Sequence, residues 1–178
     1  SYKGEVGKIA PNRIRRRFNT NIPHQKITTD TTEFKYYEID KKGRMTTKKL
    51  YLDPFMDMYN GEIISYGISK TPSSENILNA LDKAIEITKD CKYRRTFQYK
   101  LKENRIYQSM SRKGNCYDNS KMENFFGILK QEMYYGKTYY SYEELEQAIN
   151  TYIDYYNNKR IKEKLGWLSP VEFRIKRK

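Results

Sequence analysis

Two carboxylates stand out by their setting. Asp30 lies in Thr28-Thr29-Asp30-Thr31-Thr32, a run of β-branched residues suited to a strand. An aspartate there is costly to bury unpaired, so it sits on a solvent-facing edge or is held for a purpose. Glu123 opens a helical pattern after a polar, basic loop, and Lys130 follows seven residues later on the same helix face. Gly127, one turn beyond Glu123, leaves room between them. Carboxylates brought together from separate elements can hold Mg²⁺ for phosphoryl transfer, in which metal ions clamp the attacking and leaving oxygens. A structural explanation competes. Ser120-Lys121-Met122-Glu123 has the spacing of a capping box, and a solvated helix face accounts for Lys130 almost as well. Other chemistries find little support. His24 is the only histidine, which disfavours a serine-type triad, and with Cys91 and Cys116 far apart it disfavours zinc. No glycine-rich phosphate loop is present.

The elements that must position these residues are legible in part. Lys26 to Ile39, Lys48 to Met58 and Glu62 to Ser69 read as strands, with Asn60-Gly61 predicting a type I′ hairpin between the last two. Ser73 and Ser74 can cap a helix with Ile77, Leu78, Leu81, Ala84, Ile85 and Thr88 on one face. Arg95 to Phe97 and Ile106 to Met110 suggest short strands, but Lys100 to Asn104 reads as a helix end, and no turn joins it to Phe97. After the polar loop Ser111 to Asn119, a helix buries Met122, Phe125, Phe126, Leu129 and Met133. Ser141 and Glu144 form a second capping-box pattern, opening a helix with Leu145, Ala148, Ile149, Tyr152, Ile153 and Tyr156 inward. Gly166 and Pro170 break the remaining tail. The expected fold is α/β: a mixed central sheet, beginning as a three-strand meander, flanked by helices.

Charge is concentrated at the ends. The 178 residues carry 35 Lys/Arg against 22 Asp/Glu, net +13. Residues 1–26 hold seven basic and one acidic, residues 157–178 eight and two; each end is net +6, leaving +1 of the total for the middle. Basic ends on a nearly neutral body suit a polyanion, since phosphate neutralisation releases counterions; solvated tails are the plainer alternative. The expected organisation is a basic arm over 1–25, a core over 26–160 and a basic tail over 161–178. No run approaches the ~18 apolar residues of a membrane helix. The first ten residues lack the apolar centre of a secretory signal, and two cysteines suit a reducing compartment. A cytoplasmic location follows as the expectation.

The run Ser109-Met110-Ser111-Arg112-Lys113-Gly114-Asn115-Cys116-Tyr117-Asp118-Asn119, then Met122 to Lys130 (M-E-N-F-F-G-I-L-K), resembles the OrfB-type transposases of bacterial insertion sequences (insertion sequence 3 family), which have a retroviral-integrase-like (DDE) catalytic core. Thr29 to Phe34 resembles the segment carrying that family's first catalytic Asp. Leu50 to Pro54, Tyr155 to Arg160 and Leu165 to Pro170 match further family stretches. The resemblance implies a ribonuclease-H-like fold, an Asp-Asp-Glu triad binding Mg²⁺ (with Mn²⁺ as substitute), cleavage at element ends, and strand transfer by a 3′-hydroxyl. It makes Asp30 the first carboxylate and Glu123 the third. It also implies DNA contacts from Arg112, Lys113, Asn115, Asn119, Lys121, Lys130 and Arg160, with Lys130 holding the terminal DNA. The partners it implies are insertion-sequence ends and target DNA, bound by a homo-oligomer near the bacterial nucleoid, with no membrane role.

One departure is serious. The family's second Asp lies in a His-Ser-Asp-Gln-Gly segment that this sequence lacks. Asp90 is no substitute, because it precedes the strand reading at Tyr93 to Phe97, which the family Asp follows. A strand end, the Asp loop and a helix start are all missing between Phe97 and Leu101. Either the working protein carries a further segment there and is an active core, or the deletion is real and the chain is an inactive, DNA-binding derivative. The cost of shortening a central element favours the first.

Overall fold

The computed structural model describes residues 17–88 and 119–177. Four strands, β1 (Ile27–Thr29), β2 (Thr32–Ile39), β3 (Met45–Asp57) and β4 (Ile63–Ser69), form an antiparallel sheet. Lys26 to Ile39 is thus two strands, where the sequence suggested one. Both pair with β3 in a single unbroken register, Thr29 opposite Phe55 and Thr32 opposite Leu52. Between them Asp30 falls opposite Pro54 and Thr31 opposite Asp53. Pro54 has no N–H to donate, so the ladder lapses at Asp30. β4 runs along the other edge of β3.

The β3–β4 connection also departs from its sequence reading. Gly61 has φ +75°, but Asn60 is not left-handed, so the turn is not type I′. The Gly61 N–H donates to the Asp57 carbonyl (2.8 Å), closing a wider loop. The Asn60 amide is buried and donates to the Pro170 carbonyl (2.8 Å), which fixes it in this wider form.

Helix α1 (Ser74–Thr88) covers one face of the sheet. Its contact line runs through Ile77, Ala80, Leu81, Ala84 and Thr88; Leu78, expected inward, is exposed, and the small Ala80 brings the helix close to the sheet. Helix α2 (Ser120–Leu129) continues as a π-helical turn over Lys130–Tyr134, and with α3 (Tyr142–Asn158) it covers the other face. Phe34, Tyr36, Leu50, Leu52 and Met56 point there, against Met122, Phe125, Leu129, Leu145, Ile149 and Ile153. Each such side chain, once buried, contributes roughly 1.5–3 kcal/mol. At the start of α3 the Ser141 hydroxyl accepts from the Glu144 N–H (3.0 Å), while the Glu144 carboxylate accepts from Tyr140 (2.7 Å), one residue earlier than a capping box requires.

Residues 161–177 fold against the body. A Lys162–Leu168 bridge encloses a 3₁₀ turn, Glu163–Leu165, and leads to α4 (Pro170–Lys176). Ser169 and Glu172 form a full capping box with Pro170 in the first turn, a pattern the sequence carries but its reading passed over. Arg174 makes a bidentate ion pair with Glu62 (2.7 and 2.9 Å). Side chains also close the sheet edges. Asn157 donates to the Ile63 carbonyl and accepts from its N–H (both 2.9 Å), and the Tyr134 hydroxyl does the same for Lys35 (both 3.0 Å). No helix among the described residues is long and apolar enough to cross a membrane. The strands expected at 95–97 and 106–110 lie outside those residues.

Candidate functional site

Asp30 sits in the break between β1 and β2. By register it shares a sheet face with Thr28 and Thr32, the face that α2 and α3 cover. It is exposed, and one carboxylate oxygen accepts from the Thr31 N–H (2.9 Å). Glu123 lies in the first turn of α2 and is exposed, with no hydrogen bond or ion pair among the described residues. The capping-box explanation for it does not hold: Ser120 is already helical, and the N-cap, Asn119, makes no side-chain cap bond.

Asn119 ties the two elements together. Its side-chain oxygen accepts from the Thr28 hydroxyl (2.7 Å), and its amide donates to the Thr29 carbonyl (3.3 Å), the residue before Asp30. The start of α2 is thereby fastened to the end of β1. On the same helix, a Cβ at Gly127 would meet nothing within 4 Å, so the space beside Glu123 is open. Lys130 leans over the Phe34 ring (5.3 Å to its centre); burial lowers its pKa, which nearby Glu33 partly opposes.

Sequence reasoning missed Asp53. It is 2% exposed, on the α1 face, accepting from the Thr31 hydroxyl (2.5 Å) and the Asn76 amide (3.1 Å). A Cβ on Gly67, its partner across the ladder, would come within 2.4 Å of that amide, so glycine is needed for Asn76 to reach in. An Asp-Pro pair inside an apolar strand was the available signal.

Other expected DNA contacts are already engaged. The Lys121 ammonium donates to the Met58 carbonyl (2.6 Å), and burial lowers its pKa against the pull of Asp57. Asp57 is fully buried, which raises its pKa despite N–H donors from Tyr59 and His24 (both 2.9 Å). Arg160 grips Glu132 through Nε and Nη2 (2.6–3.0 Å), holding its carboxyl below the usual range, and the Tyr152 hydroxyl also donates to Glu132 (2.9 Å). Arg112, Lys113 and Asn115 lie outside the described residues.

Residues 123–177 match the integrase core domain, beginning at Glu123 itself. An uncharacterized transposase-like protein of Haemophilus influenzae is 45% identical over 185 positions, spanning 98% of this chain and 82% of its own length. The InsK protein of insertion sequence element IS150 from Escherichia coli K12 is 42% identical, over 98% of this chain and 62% of its own length. Transposase InsF for insertion sequence IS3A, also from E. coli K12, is 28% identical over 99% of this chain and 62% of its own. The chain therefore spans less than two thirds of these two E. coli proteins. Since 185 aligned positions exceed the 178 residues here, at least seven face no residue in this chain.

Proposed function

Because the chain belongs to the insertion-sequence transposases of the OrfB type, with a retroviral-integrase-like catalytic core, we propose that it is a core for DNA cleavage and strand transfer at element ends, on a ribonuclease-H-like fold. Asp30 and Glu123 are its metal ligands. Their chemistry fits a hard divalent cation such as Mg²⁺, or Mn²⁺ in its place: both are exposed oxygen donors, and each keeps carboxylate oxygen free of protein donors among the described residues. Among those residues no third His, Cys, Asp or Glu joins them. A bound ion would supply charge stabilisation at the phosphate and a more acidic nucleophile.

The protein's own part is positioning. Asn119 sets the origin of α2 against β1, so that Glu123 and Asp30 belong to one rigid unit. Lys130, two turns along, takes a backbone phosphate of the terminal DNA, and Arg112, Lys113 and Asn115 extend the contact from the preceding loop. Residues 1–25 add sequence-independent phosphate contacts, and paired element ends call for a dimer or larger assembly on DNA. The observation that carries this reading is the double hydrogen bond from Asn119 to Thr28 and Thr29.

A second reading has its own support. The sequence lacks the His-Ser-Asp-Gln-Gly segment that the resemblance calls for, and a real loss of it between Phe97 and Leu101 leaves a DNA-binding derivative without turnover. The test is nicking and strand transfer on element-end DNA in Mg²⁺ or Mn²⁺, beside DNA affinity. Under the first reading Glu123→Gln abolishes turnover and changes affinity less than about twofold. Binding without turnover in the unaltered chain, with activity gained on inserting His-Ser-Asp-Gln-Gly after Phe97, selects the second.

A further inference from the structure

The segment between α3 and α4 has features that the carboxylate face does not use. Lys162 to Leu168 is a closed loop: the Lys162 N–H donates to the Leu168 carbonyl (3.1 Å), and the N–H groups of Leu165 and Trp167 both donate to the Lys162 carbonyl (3.0 Å each). Buried Leu165 and Ser169 anchor its base. Gly166 and Trp167 are consecutive left-handed residues, φ +66° and +61°. Glycine adopts that conformation freely; a bulky aromatic does so only when the surroundings enforce it. Yet most of the indole stands outside the fold. Trp167 is 64% exposed, and its side chain makes no hydrogen bond or ring contact among the described residues.

Cations surround this loop. The Lys162 ammonium donates to the Tyr156 hydroxyl (2.7 Å) and lies 4.2 Å from the centre of that ring, without a carboxylate partner among the described residues. A Cβ on Gly61 would approach it to 3.0 Å, so the β3–β4 turn leaves it just enough room. Arg160 and Lys121 bear on Lys162 electrostatically, and Lys164 bears on Lys121. Arg160 is neutralised by Glu132, and Lys121 has the Met58 carbonyl and Asp57 nearby. Exposed Lys164 has no ion pair among the described residues, with Glu163 the loop's only carboxylate.

We propose that the Lys162–Leu168 loop is a DNA contact separate from the carboxylate face, in which the Trp167 indole stacks on an unpaired base while exposed Lys164 takes a flanking phosphate and Lys162, held on Tyr156, braces the loop from beneath. Stacking on a rigid aromatic needs no base identity, and lysines track the backbone. This inference rests on the reading that the chain acts on DNA, and favours frayed or single-stranded ends over intact duplex.

Trp167 is the chain's only tryptophan, so its emission reports on the loop directly. The full chain is titrated with an end-labelled single-stranded oligonucleotide, and in parallel with a blunt duplex, following the label's anisotropy and the tryptophan emission together. The expected result is quenching that tracks anisotropy and is stronger with the single strand. Trp167→Gly relieves the left-handed strain and raises Tm, yet weakens single-strand binding about tenfold. Lys164→Gln, at an exposed position, lowers affinity and the salt dependence. Saturating anisotropy with unchanged emission, or wild-type affinity in Trp167→Gly, overturns the inference while leaving the DNA reading intact. No anisotropy change with any DNA overturns both.

Discussion

The sheet near residue 30 presents two aspartates in opposite ways. Asp53 points to the α1 face, is 2% exposed and accepts from Thr31 and Asn76. Asp30, opposite Pro54 and adjoining Thr31, lies on the α2 side, exposed, and accepts one backbone N–H. One carboxylate is engaged in holding the strand; the other keeps an oxygen free of protein donors among the described residues. The engaged one makes the available one useful: with Thr31 fastened to Asp53, its neighbour has a fixed origin despite the lapse in the ladder. A break in a strand costs order locally, and the buried clasp beneath it restores that order without capturing Asp30.

The contrast can be broken most directly by truncating each aspartate. Asp53→Ala strands the Thr31 hydroxyl and the Asn76 amide and should cost about 2–3 kcal/mol. Asp30→Ala should stay within about 0.5 kcal/mol, both measured by urea unfolding. Comparable losses would show that the two faces share the structural role. Gly67→Ala sharpens the point: its Cβ displaces the Asn76 amide from Asp53, for about 1–2 kcal/mol. Adding Asn76→Ala to that variant should cost little more, because the bond is already lost.

The smallest effect extends the contrast to cations. Burial lowers the pKa of Lys162 to about 8, with Arg160 and Lys121 adding to the shift. Below pH 8 both folded and unfolded chains carry the proton, and the fold bears a desolvated charge. As pH rises above 8 the folded state releases it first, so stability should increase toward pH ~10. Above that the trend reverses, because buried Tyr152 and Tyr156 hold their protons beyond the usual tyrosine range. Lys162→Met should flatten the rise in thermal unfolding profiles; an unchanged slope would assign it elsewhere.

What the sequence disclosed follows from the range of the forces involved. Alternation and helical periodicity are local, so β3, β4, α2 and α3 were readable to within a few residues. The break at Asp30 was not, because its cause is Pro54, twenty-four residues away and visible only once strands are paired. Composition could count cations but not say which were engaged: Arg160 is bound by Glu132 and Lys121 by a carbonyl, both tertiary facts. Asp53 hid in an apolar run. The capping box at Ser169 and Glu172 was legible, but Gly166 and Pro170 beside it spoke only for breaks in the tail. Exposure of Asp30 and Glu123 followed from their polar settings; the sheet face on which Asp30 lies needed the register.

Asn157 and Tyr134 carry a consequence beyond local bonding. Among the described residues, β2 and β4 have outer edges that no strand covers, and each side chain supplies one donor and one acceptor to its edge, as another polypeptide would. An edge left bare invites intermolecular pairing and, at high concentration, aggregation. At Ile63 and Lys35 the two polar side chains occupy the backbone groups that a neighbouring chain would otherwise pair with, and the Tyr139 carbonyl does the same for the Tyr37 N–H.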